Sequence, residues 1–264
     1  MAAHAHPKAL IFAPPLIGGG AAHQIRLFRP LIRSGFDLIS FSYAGHGSSE
    51  GCFSMGASIR DTRDALGHAS AEARRRGIPL LGLATSYSAI PLLKTGRTLR
   101  HPFSRLVLIN PLTRLRPLAI LHSFWGFCRC QPREAAWGPS SPGRLQRYLD
   151  SLFPGVGKGP HRFGALSRRR TRLFRILAEL MLLNPLSGVT LADTPVLCLY
   201  GQRDDVLRIF HPDMRRDYEP SIRSVCPRAR FEVFQGGHFL RSAKLRSVVV
   251  QSILTYFQRS ESEA

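Results

Sequence analysis

Acidic side chains are scarce in this chain. Asp and Glu make up 17 of its 264 residues, against 37 Lys and Arg, so the formal charge is +20. Lysine is rarer still, at Lys8, Lys94, Lys158 and Lys244, and the other 33 cations are arginine. A charge of this size reads either as a compositional preference for arginine or as a basic surface for anionic partners, and it says nothing of fold. Cysteine is sparse and odd in number. Cys52, Cys128, Cys130, Cys198 and Cys226 leave one thiol over in any complete disulfide scheme, and Cys198 sits in an apolar run where a thiol packs as a small hydrophobe. A disulfide-built scaffold is not expected, and the default compartment is the cytoplasm. No apolar run reaches the about 18 residues that span a bilayer. The stretch from Met1 to Lys8 lacks the apolar core of a signal peptide.

Motifs for bound groups are also missing. Gly18-Gly19-Gly20 has neither the Lys-Ser/Thr of a phosphate-binding loop nor a dinucleotide spacing. Cys128-Arg129-Cys130 and His4-Ala5-His6 have no partner pair at zinc-ligand distance. No metal and no cofactor is expected. The basic composition raises nucleic acid as a partner, but no recognised motif or aromatic-interleaved basic strand supports it.

What is present is an alternation of apolar runs and helical patterns, which argues for an α/β domain with a mostly parallel sheet and helices on both faces. The expected strands are 8–13, 37–43, 80–84, 105–109, 196–200 and 230–234. Their near-continuous apolar character suits a sheet buried on both sides. Helices are expected over 22–33, 58–75, from 88 onward, over 212–225 and over 242–257. The last has Leu245, Val248, Val249, Ile253 and Phe257 at helical spacing. From 111 to 190 no strand pattern appears. A structureless loop of that length is improbable, so this interval reads as a helical cap inserted into one domain spanning 1–264. Between Arg114 and Thr190 13 basic residues face Glu134, Asp150 and Glu179, a net +10.

Three residues lie just past strand-like runs. Ser86 follows the 79–85 run, Asp204 closes Gly201-Gln202-Arg203-Asp204-Asp205, and His238 ends Gly236-Gly237-His238. A nucleophilic serine needs a base to take its proton and a tight turn to hold its oxygen clear of the sheet. Small residues two before and two after make such a turn possible, and here they are Ala84 and Ser88. The plainer roles are a helix cap for Ser86, and for Asp204 a turn carboxylate paired with Arg203; Asp205 is the alternative acid.

The order nucleophile, acid, base, together with Phe41-Ser42-Tyr43-Ala44-Gly45-His46-Gly47-Ser48, resembles the α/β-hydrolase superfamily over essentially the whole chain. The segment from Gly77 to Ala89 is similar to the acyl-carrier-protein thioesterase of bacterial bioluminescence. The resemblance implies an α/β-hydrolase fold and a serine acyl hydrolase or acyl transferase, with Ser86, Asp204 and His238 as nucleophile, acid and base. In the loop after the first strand Pro14 and Pro15 have no N–H, so the oxyanion donors are expected to be the Leu16 and Tyr87 amides. His46 is expected to be structural. The substrate would be an acyl ester or thioester, with an acidic acyl carrier protein, coenzyme A or an anionic membrane surface as partners for the arginines. The competing reading is a non-catalytic binding protein of the same fold, motivated by the two prolines.

Overall fold

The computed structural model describes residues 4–46, 48–99, 102–113, 179, 185–240 and 242–258. The expected cap over 111–190 lies outside these residues, apart from its two ends and Glu179. Six parallel strands form one sheet, β1 (Leu10–Phe12), β2 (Asp37–Ile39), β3 (Leu80–Thr85), β4 (Arg105–Ile109), β5 (Val196–Gly201) and β6 (Ala229–Phe234), in the order β2-β1-β3-β4-β5-β6.

Apolar side chains leave the strands on both faces with a period of two. Leu106, Leu108, Val196, Cys198 and Tyr200 point into one core, with α3 (Met55–Arg76), α4 (Ala89–Thr98), α5 (Asp205–Phe210) and α6 (Glu219–Arg223). Val107, Ile109, Leu197 and Leu199 point into the other, against α1 (Ala21–Leu27), α2 (Arg29–Arg33) and α7 (Ala243–Gln258). Both faces are therefore covered, as the unbroken apolar runs require.

Local chemistry sets the element ends. Ser54 caps α3 by accepting from the Ala57 N–H at 3.0 Å, and Gly77 closes it in the left-handed conformation at φ +63. Three arginines, Arg74 to Arg76, crowd its last turn, where the helix dipole favours cations. Three elements depart from expectation. β2 stops at Ile39 because its partner β1 runs on into Ala13-Pro14-Pro15, and the prolines have no N–H with which to extend the ladder. The helix expected over 22–33 is two helices, since Pro30 cannot donate to Arg26 four residues back. The region 212–225 holds a single π turn (Met214–Tyr218) followed by α6, and Pro220 interrupts the helical ladder between them. On α7 Val248 is exposed, so it does not belong to the buried stripe.

Candidate active site

All strands of a parallel sheet present their C-terminal ends at the same edge, and the turns after β3, β5 and β6 carry Ser86, Asp204 and His238. Ser86 sits in the turn between β3 and α4 with φ +54, one of two non-glycine residues with positive φ among those described. That conformation costs about 1–2 kcal/mol for an L side chain. It is held by its neighbours: the Thr85 N–H donates to Ser88 Oγ at 2.9 Å, Ser88 Oγ donates back to the Thr85 carbonyl at 2.9 Å, and the Leu112 N–H donates to the Ser86 carbonyl at 3.1 Å. The local capping is therefore done by Ser88, and Ser86 Oγ is turned elsewhere. It lies 2.7 Å from His238 Nε2.

The other side of the His238 ring meets Asp204. Nδ1 is 2.8 Å from Oδ2 and 3.0 Å from Oδ1, and both side chains are buried. A carboxylate only accepts, so Nδ1 carries the imidazole proton and Nε2 is left to accept from the Ser86 hydroxyl. Asp204 has a second task. Its Oδ1 accepts from the Leu207 N–H at 2.7 Å and caps α5. One carboxylate thus starts a helix and orients the imidazole. Asp205 is exposed in the first turn of that helix and is not in contact with His238.

The acid turn and the histidine loop run backbone against backbone. Gln202 and Arg203 donate to the carbonyls of Phe234 and Gly236, each at 2.9 Å. A Cβ on Gly201 would strike the Gly236 carbonyl oxygen, which is why glycine stands three residues before the acid.

Asn110 was not singled out from the sequence, and it joins these two loops. Fully buried at the end of β4 with φ +46, it accepts from the Gly201 N–H through Oδ1 at 2.8 Å and donates through Nδ2 to the His238 carbonyl at 2.8 Å. An asparagine just past an apolar strand is a residue type that tolerates positive φ, and that was its one sequence signal. Asn110→Gly keeps the backbone conformation accessible and removes both bonds. We expect it to lower kcat by about 10–100-fold with KM nearly unchanged, because a displaced His238 ring no longer meets Ser86 Oγ in line. Steady-state kinetics on an acyl ester checks this, and an unchanged kcat would reduce Asn110 to a packing residue.

The two residues expected as oxyanion donors lie in the turn of Ser86 and in the loop after β1. Tyr87 opens the turn directly after Ser86, where helix-start N–H groups have no internal acceptor. Leu16 lies in the loop after β1, the strand paired with β3, and its carbonyl closes a turn by accepting from the Gly19 N–H at 2.9 Å. The Tyr87 phenol is buried and bonded to Ser58 Oγ at 2.7 Å, and burial pushes its pKa well above the usual tyrosine range. His46 packs edge-on to Phe53 (4.7 Å) and Tyr43 (5.8 Å) in the aromatic cluster behind Tyr87. Burial lowers its pKa, which keeps it neutral at pH 7. Among the described residues no group of three or more His, Cys, Asp or Glu could hold a metal ion. No described helix is long and apolar enough to cross a membrane.

No family model matches the chain, and no curated sequence matches it significantly. Solved structures do match along nearly its whole length. Monoglyceride lipase from Saccharomyces cerevisiae, a soluble variant bound to a substrate analog, aligns over 98% of this chain and 88% of its own with a TM-score of 0.64 at 18% identity. A lipase in its open form aligns over 97% and 93% with a TM-score of 0.63 at 16% identity. A thermophilic esterase from Thermogutta terrifontis aligns over 96% and 90% with a TM-score of 0.57 at 16% identity.

The chain has the α/β-hydrolase fold. In the α/β-hydrolase fold a serine at a strand-to-helix turn, followed in sequence by an acid and then a histidine, is the recurring arrangement. Here the serine turn departs from the glycine-flanked pattern, with Ala84 and Ser88 at the flanks. Both are buried, and the Ser88 hydroxyl takes part in the turn's own hydrogen bonds.

Proposed function

We propose that this chain is a serine-dependent acyl hydrolase. One observation carries the reading: the Ser86 hydroxyl, held at positive φ, lies 2.7 Å from His238 Nε2, while Nδ1 of the same ring lies 2.8 Å from the Asp204 carboxylate. His238 takes the Ser86 proton as Oγ attacks the acyl carbonyl. Asp204 holds the ring in the reactive tautomer and stabilises the imidazolium that forms. The oxyanion is assigned to the Leu16 and Tyr87 amides. Collapse of the tetrahedral species expels the leaving group with the proton from His238, and the acyl-serine is then released to water by the same steps in reverse order.

Neighbours of the same fold that carry the names lipase and esterase support an ester substrate. The finer reading is a fatty acyl ester or thioester, with water or a second hydroxyl or thiol as acceptor. The net charge of +20 favours anionic donors, namely a coenzyme A thioester, an acidic acyl carrier protein or an ester at an anionic membrane surface. The 111–190 segment, which holds half of that charge, is proposed as the cap over the acyl group.

The test is a fluorophosphonate probe on the wild type and on Ser86→Ala, with the adduct located by mass spectrometry. A wild-type adduct on Ser86 supports an activated serine. No adduct on folded wild-type protein overturns the proposal in favour of a non-catalytic binding protein. Comparing kcat/KM for an acyl-CoA and a nitrophenyl ester of equal chain length then separates the thioester from the ester reading.

A further inference from the structure

β4 begins with a cation where its pattern calls for an apolar side chain. Arg105 lies on the same face of the strand as Val107 and Ile109, which pack in the core that α7 covers. It is 6% exposed. A guanidinium stays charged in a folded protein, and a buried charge is unfavourable unless it is paired. Among the described residues no carboxylate pairs with this one. Its hydrogen bond runs from Nη1 to the Tyr256 carbonyl in the last turn of α7 at 2.7 Å, and Cζ lies 5.8 Å from the Tyr256 ring centroid. Nε and Nη2 have no acceptor among the described residues. Those two groups form the edge of a guanidinium that grips a carboxylate through two parallel bonds.

Arg105 lines a cleft of about 440 Å³ together with Lys8, Phe36, Leu81, Ser104 and Phe257. That volume lies within the range of small-molecule sites. The cleft sits at the N-terminal ends of β1, β3 and β4, at the edge of the sheet opposite to Ser86. Lys8 brings a second cation. Its Nζ is 5.8 Å from the Phe36 ring centroid, and among the described residues no carboxylate pairs with it either. No Asp or Glu is among the described residues that line the cleft. Asp37, next to Phe36 in the chain, is already committed, with its carboxylate 2.6 Å from Arg76 Nη1. The Phe36 and Phe257 rings meet at 6.1 Å and, with Leu81, give the cleft an apolar wall.

We propose that this cleft binds a small organic carboxylate. The head group pairs with the Nε–Nη2 edge of Arg105 and with Lys8, and a short apolar tail lies against Phe36, Leu81 and Phe257. A phosphate dianion suits the site less well. The helix end beside it is the C-terminus of α7, where carbonyls without a helical partner carry partial negative charge. Two cations next to such a helix end favour a single negative charge. A neutral ligand would leave the guanidinium edge unpaired. The cleft shares no residue with Ser86, Asp204 or His238, so the inference stands independently of the proposed catalysis.

Titration of the full chain with hexanoate, followed through backbone amide chemical shifts, tests it. Saturable shifts are expected at Lys8, Phe36, Ser104 and Arg105, with a Kd of about 1 mM for a ligand of about eight non-hydrogen atoms. Lys8→Gln removes one cation from an exposed position and should raise that Kd by about fivefold. Arg105→Lys keeps the charge but loses the planar fork, and should raise it by about tenfold. Lys8→Gln keeps the test decisive if Arg105→Lys does not fold. Hexanol and inorganic phosphate should each bind at least about tenfold more weakly than hexanoate. Shifts confined to the surroundings of Ser86 and His238, shifts that do not saturate, equal binding of hexanol or phosphate, or a Kd unchanged in Lys8→Gln overturns the inference.

Discussion

Ser86→Ala is expected to lower kcat by about 10⁴–10⁶-fold on any substrate the wild type turns over. In the proposed mechanism the hydroxyl is the attacking group, and alanine offers no oxygen to replace it. Stability should hardly change. Alanine at φ +54 carries the same steric burden as serine, and the Tm should stay within about 4 °C of the wild type. Ser86→Gly sharpens the test. Glycine relieves the positive φ, so that variant should be as inactive as the alanine variant yet at least as stable. Turnover at the wild-type rate in either variant, after exclusion of contaminating hydrolase, would remove Ser86 from the chemistry.

Asp204→Asn is expected to lower kcat by about 10⁴-fold while leaving the fold intact. The separation is possible because Asp204 does two things. Its Oδ1 caps α5 through the Leu207 N–H, and asparagine caps a helix about as well as aspartate. Its charge and acceptor-only character, in contrast, hold the His238 proton on Nδ1, and an amide that can donate there lets the proton move to Nε2. Asp204→Ala should lose the cap as well, about 1 kcal/mol of stability by thermal or urea unfolding. If the asparagine variant keeps wild-type kcat while Asp205→Asn loses it, the acid role belongs to Asp205.

The candidate site was legible in part because each of its three principal residues follows an apolar run that ends at the same edge of a parallel sheet. Strand ends can be read locally, and so can the order of Ser86, Asp204 and His238. The choice of Asp204 over Asp205 depends on which carboxylate reaches the imidazole, and one exposed and one buried neighbour look alike in sequence. The bridging role of Asn110 was invisible for a stronger reason. Its partners, Gly201 and His238, lie 91 and 128 positions further along the chain, and no local pattern records a contact of that span. The break at Pro30 and the early end of β2 were legible in principle, since both follow from prolines that cannot donate.

By itself the sequence determined a two-faced parallel sheet, because unbroken apolar strands leave no face for solvent. It also determined the residue types at the turns and the large positive charge. The tertiary structure decided which side chains meet. Ser86 and His238 are 152 positions apart, and the 2.7 Å between Oγ and Nε2 exists because β3, β4, β5 and β6 are laid side by side in fixed register. It also decided that Arg230, Glu232 and Val233 of β6 are exposed while β2 is buried along its length, since exposure is a property of what packs against a strand and not of the strand's own residues.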